Sequence, residues 1–389
     1  MLTKSVSKSF ILTVLLISFL SILKFNYCKV TNWISPNNYV HACYTDITAL
    51  FFERNLDTNT FAYQSATASF EYPPIIGVGN WLLSFLTTGS NAIDSFFTIN
   101  VILIVIFFLI STLLVRAINP KFSYLFPVAP AVGASLFINW DLWVVVSMIL
   151  AIYYFDKGKF EVSSIWLGIA ISTKFFPIIL LIPIAIIFYR RDLITQCYRY
   201  LINTTLIWSA FNIPIAIFYF DGWWRFFKLN IERGADFGSI WYSLSLLNLE
   251  APYLNLLSTL LTISAFAYLI IYLINLPITP TLAQTSFFSV VALTTFAKVY
   301  SPQYVLWLTP LAVIALFHNK QQIKFWIWQG GEIIYHIAIW QYLALYTGAG
   351  HGLPAKGYAI ACLLRVVVIL IFTKELMRDL AGKSTAKQP

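Results

Sequence analysis

Residues 96–115 read FFTINVILIVIFFLISTLLV, with no charged side chain between Asp94 and Arg116. A run of about 20 apolar residues is what a helix needs to cross the ~30 Å hydrocarbon core of a bilayer. Backbone at that depth must satisfy its own hydrogen bonds, so such a run commits the chain to helices in lipid. The composition agrees. Of the 389 residues 59% are hydrophobic and 11% charged, and mean hydropathy is +0.76, which no soluble globular domain matches. Phe, Tyr and Trp make up 17% and suit interfacial belts and helix packing.

Further runs predict spans at 9–27, 122–139, 141–155, 162–174, 176–189, 200–220, 252–275, 284–298, 303–317, 325–346 and 357–373, so the expected fold class is an all-α polytopic membrane protein with about 12 transmembrane helices in one domain. Lys and Arg set its orientation. With Lys4 and Lys8 in the cytoplasm, the short inside loops gather Arg116 with Lys121, Lys157 with Lys159, Arg190, Arg191 and Arg199, and Lys320 with Lys324, as the positive-inside rule requires. The net charge of +9 is therefore read as an orientation signal, and no nucleic-acid partner is expected. The pattern holds only if 74–86 does not cross, so that segment is expected to lie in the outer interface. Residues 28–95 then form a large outer loop and 374–389 a cytoplasmic tail, with both termini inside. Met1 to Lys8 followed by 10–23 resembles a signal peptide, but no small-residue cleavage site follows, and an uncleaved first span is expected. Four cysteines make no disulfide framework; Cys28 and Cys43 both fall outside, within reach of one another, but are expected to stay unpaired.

Under this topology the unusual polar residues collect on the outer side, as an active site needs. In CYTDITALFFER, Thr45 reads as a helix N-cap, and Asp46 either decorates that helix or takes a proton from an acceptor hydroxyl. Glu53 and Arg54 read as shaping the loop. Glu71 precedes a diproline that holds Tyr72 and Pro73 extended. Lys174 and Lys298 sit at the ends of apolar runs, where an ionisable residue is a functional candidate. With Arg233, whose fork suits phosphate, they could hold a phosphate, and Gly234 and Gly238 allow close backbone approach. His351 in GAGHG is a possible base or phosphate contact. Arg365 lies within the last span. HExxH, CxxC pairs, P-loop and GxGxxG motifs are missing, so neither metal nor cofactor is expected.

Taken in order, YTDI…ER, EYPP, TKFFPIILLIP…YRR, RGADFGSIWY and KVYSPQYVLWLTPL resemble glycosyltransferase family 87, multi-spanning GT-C enzymes that include α-mannosyltransferase-like proteins of actinobacterial type. The likeness runs from about Tyr44 to Leu311. It implies a GT-C fold with an outer-face active site and a hexose donor, mannose expected, carried on polyprenyl phosphate. The acceptor would be a glycolipid or polysaccharide. The family's base after the first span maps onto Asp46. Its later polar motifs map onto Lys174, Arg233, Lys298 and Gln303, with Glu71 and His351 as further substrate contacts. Competing readings are a multi-spanning transporter or lipid flippase, and a non-catalytic envelope-assembly partner of the same fold.

Overall fold

In a computed structural model, residues 8–87, 89 and 91–382 are described. Lys4 of the orientation argument and 383–389 of the expected cytoplasmic tail lie outside them. Every regular element among the described residues is helical. Among the described residues five helices are long and apolar enough to cross a membrane: Lys8–Val30, Ala92–Ile118, Ile194–Phe218, Leu254–Ile274 and Ala355–Gly382. Ile194–Phe218 and Leu254–Ile274 turn Ile202, Leu206, Ile217, Leu256, Leu260 and Ile263 outward. Rows of exposed large aliphatic side chains on long helices belong against lipid. The chain is therefore an α-helical, membrane-embedded protein.

The centre is built from shorter helices, among them Asp141–Asp156, Phe160–Thr173, Leu282–Phe296 and Val305–Ala315. Val305–Ala315 is buried along its whole length. Two of the predicted spans open with a proline-initiated 3-10 turn, Phe176–Leu180 ahead of Leu181–Arg190 and Pro302–Tyr304 ahead of Val305–Ala315. Proline is at home in a first turn because its missing N–H has no intrahelical partner there.

The sequence expectations need three corrections. The expected span 122–139 is two short helices, Leu125–Val128 and Pro130–Ser135, with an extended residue, Ala129, between them. Pro130 cannot donate to the preceding turn and pushes Ala129 out of the helical region. The last helix does not stop at 373 but runs to Gly382. Lys324–Glu375 and Glu375–Arg378 ion pairs support this extension, so the first part of the expected tail, 374–382, is helical. Cys28 and Cys43 are disulfide-bonded, which ties the end of the first helix to the residues just before Asp46.

Pro74–Ser84 has 11 residues and spans about 16 Å, too short to cross alone. It packs tightly: a Cβ on Gly77 would fall 2.1 Å from the Tyr63 hydroxyl, and one on Gly79 2.6 Å from the Trp143 ring.

Candidate functional site

A cavity of about 770 Å³ is bounded by residues from the beginning of the Asp46–Glu53 helix, the 71–73 turn, both proline-initiated turns and the 226–237 segment. Asp46, Glu71, Lys174, Arg233 and Gln303 all line it.

Asp46 is held from two sides. Thr45 caps the helix, accepting from the Ile47 N–H at 3.2 Å, and the Asp46 N–H donates to the Ile138 carbonyl at 2.8 Å. The Asn139 amide donates to Asp46 Oδ2 at 2.6 Å and also to the Tyr72 hydroxyl at 2.6 Å. Burial pushes the Asp46 carboxyl up to about 6, against hydrogen bonds from Asn139 and Tyr44 and the Lys174 charge, which pull it down. A carboxylate tuned close to neutrality can take a proton and still be ionised when needed.

Lys174 does not snorkel. It is buried, with Nζ 2.6 Å from Asp141 Oδ1 and lying 5.2 Å and 5.3 Å from the Tyr72 and Trp307 ring centres. Trp307 donates its indole N–H to the same Asp141 oxygen at 2.5 Å. Asp141 is fully buried, and its other oxygen has no hydrogen-bond partner among the described residues. Sequence reasoning passed over Asn139 and Asp141, although a carboxylate opening an apolar run in FINWDLWV was a signal of the kind that singled out Lys174.

Arg233 pairs with Asp236 at 2.7 Å, and its buried Nε has no partner among the described residues. The loop carrying both is laid against the 298–300 segment: the Asp236 N–H donates to Lys298 O at 2.8 Å and the Tyr300 N–H to Phe237 O at 3.3 Å. Gly238 makes this approach possible. Its φ is +79° and an added Cβ would fall 1.9 Å from the Tyr300 carbonyl oxygen. Gly238→Ala is therefore expected to force the two loops apart and to lower the thermal midpoint of the purified protein in detergent, by about 1–3 kcal/mol equivalent; an unchanged midpoint would show that the loops are not held this closely.

Glu71 lines the cavity, but the Arg54 guanidinium grips its carboxylate and Arg225 lies 3.9 Å away. It joins three segments of the rim, which accounts for Arg54 as a loop-shaping residue. Gln303 is buried at the wall, and its side chain makes no hydrogen bond among the described residues, leaving amide donors and acceptor for a ligand. Lys298 points elsewhere: Nζ donates to Ile231 O at 3.1 Å and Asn255 Oδ1 at 2.9 Å, and it does not line the cavity. His351 is exposed and is not part of the cavity either. Among the described residues no group of three or more His, Cys, Asp or Glu could hold a metal ion.

Phe175, Phe176, Ile178, Ile179, Phe226 and Phe227 add an apolar wall beside the two cations, while Tyr39, Tyr44 and Trp340 lie on the Asp46 side. The cavity thus joins a tuned carboxylate, two paired cations, a free amide and a surface for hydrocarbon. Compared with models of known protein families and with curated proteins, the chain matches none.

Proposed function

We propose that this chain is a membrane glycosyltransferase of GT-C type, similar to family 87, which transfers a hexose, mannose in this reading, from polyprenyl phosphate to a glycolipid or polysaccharide acceptor. The observation that carries the reading is the meeting of Asp46 with Lys174, Arg233 and Gln303 in one cavity that also has an apolar wall. A lipid-phosphate donor asks for that combination and for no nucleotide pocket.

In the proposed reaction the acceptor hydroxyl gives its proton to Asp46. The acceptor oxygen forms its bond to the anomeric carbon as the bond to the phosphate oxygen breaks, and polyprenyl phosphate leaves with the electron pair. Lys174 and Arg233 offset the charge that builds on the leaving phosphate; fixed cations in a site of low dielectric do this without a metal. Their carboxylate partners, Asp141 and Asp236, hold the cations in place before the donor arrives. Attack opposite the leaving group inverts the anomeric centre. In the same reading the shorter helices complete about twelve crossings, both termini are cytoplasmic, and the cavity opens to the outer face.

Asp46 acts only as the carboxylate. It ionises at about 6, so initial rates should rise about tenfold per pH unit below that value and level off above it. The test is transfer from polyprenyl-phosphate mannose by the purified protein in nanodiscs, followed as release of polyprenyl phosphate across pH. A pH-independent rate would remove Asp46 as base. Neither donor turnover nor donor binding, over the whole range, would remove the glycosyltransferase reading.

A further inference from the structure

A second cavity, of about 500 Å³, lies between the Leu254–Ile274, Leu282–Phe296 and Ala355–Gly382 helices and shares no residue with the first. Its walls are apolar, with Leu269, Phe288, Val291, Leu370 and Met377 among them, and Tyr268 opens it toward the lipid side at 64% exposure. The Tyr272 hydroxyl donates to the Met377 carbonyl at 2.6 Å and ties two of the three helices together across it.

Two basic residues, Lys374 and Arg378, line this groove. Arg365, on the same helix, donates to the Tyr300 carbonyl near the first cavity. Lys374 lies about 14 Å further along that helix. The acids around the groove are already engaged. Glu375 is held by Lys324 at 2.5 Å and Arg378 at 2.8 Å, and Asp379 accepts from Gln321 at 2.9 Å with Arg378 at 3.4 Å. Lys374 has neither an ion pair nor a side-chain hydrogen bond among the described residues. The result is a lipid-facing hydrocarbon slot that ends at an ammonium group lacking a protein counter-charge. A molecule with a long acyl chain and an anionic head complements both parts.

We propose that this groove binds an anionic membrane phospholipid, with one acyl chain along Leu269, Phe288, Val291 and Leu370 and the headgroup phosphate on Lys374. The site is independent of the glycosyltransferase reading. It would fasten the peripheral Leu254–Ile274 helix to the rest of the bundle.

The test is native mass spectrometry of the delipidated full chain after addition of phosphatidylglycerol or phosphatidylcholine. The wild type should retain a phosphatidylglycerol adduct in preference to phosphatidylcholine. Lys374→Ala should reduce that preference about fivefold. Ala292→Phe, which fills the groove from a lining position, should remove the retained adduct of both lipids. Equal retention of the two lipids by the wild type, or an undiminished preference in Lys374→Ala, would mean annular lipid only and overturn the proposal. Lys374 is exposed, so its truncation leaves the packing intact and decides the matter if the groove-filling variant does not fold.

Discussion

Asp46→Asn is expected to lower sugar transfer about 100- to 10,000-fold, the range that a positioned general base contributes, while the protein accumulates in membranes at the wild-type level. Asparagine keeps the shape and can still face the Asn139 amide, but it cannot accept the acceptor's proton. A second readout separates loss of chemistry from loss of structure. The unfolded chain ionises this carboxyl near its ordinary value of 3.8, whereas the folded chain holds the proton until about pH 6. A raised carboxyl pKa means that the ionised form is disfavoured in the fold. This group therefore withdraws stability as pH rises from 3.8 to about 6, and the full penalty remains above that. At neutral pH the asparagine variant should accordingly melt at or above the wild-type temperature. A variant that is inactive and more stable is the signature of a residue kept for chemistry. Undiminished transfer would sink the base assignment, and a lower melting temperature would show that the carboxylate serves the fold.

The relation between sequence and site differs from residue to residue. Asp46 was legible because its cap is local: Thr45 precedes it, and the hydrogen bond that starts the helix spans two residues. The rigid approach to the Pro74–Ser84 helix was legible for the same reason, since adjacent prolines restrict their own backbone and that of the residue before them. Lys174 was legible as a charge in an apolar context, but its partner was not. Asp141 is 33 positions away, and only the packing of the Asp141–Asp156 and Phe160–Thr173 helices brings the two together. Lys298 carries the same local signal as Lys174 and behaves differently. The backbone around it is committed to Asp236 and Phe237, and its side chain reaches Asn255. Where a residue at a helix end points depends on the rotation of that helix, which apolar runs in lipid do little to specify, because every face of such a run is apolar. A proline at 130 can break a helix, but the apolar run around it is long enough to predict one continuous span at 122–139. The Cys28–Cys43 bond depends on how the chain folds back between the first helix and Thr45, which the count of cysteines does not reveal.

Breaking the Arg365–Glu332 pair should be the most destabilising single change in the molecule. Both residues are buried in neighbouring helices, Ala355–Gly382 and Gln321–Tyr346, with Nε 2.7 Å from Oε2. Glu332 also accepts from the Trp328 indole at 2.9 Å. The guanidinium donates to the Tyr300 carbonyl at 2.6 Å and the Ser301 carbonyl at 3.2 Å, and lies over the Tyr300 and Tyr335 rings. Those two carbonyls immediately precede Pro302 and Gln303, so the pair holds the turn that carries part of the cavity wall. Arg365→Met leaves a buried carboxylate without its counter-charge and takes the guanidinium from two backbone carbonyls, which keep only the Tyr335 hydroxyl at 3.4 Å on Tyr300 O and the Tyr304 N–H at 3.2 Å on Ser301 O. Glu332→Gln leaves the opposite charge uncompensated. Removing one partner of a buried pair costs about 3–5 kcal/mol, and either variant should show a large fall in melting temperature and in detergent-resistant yield. The double change, Arg365→Met with Glu332→Leu, removes both charges and should recover part of the loss, since an apolar pair of similar volume can replace a buried ion pair. It should not recover the geometry of the turn, because the guanidinium that gathers the Tyr300 and Ser301 carbonyls from one side is gone. A stable double variant with weakened donor binding would separate the two jobs of Arg365, holding the bundle and aiming the Pro302–Tyr304 turn. Single variants that melt like the wild type would show that the pair bears neither.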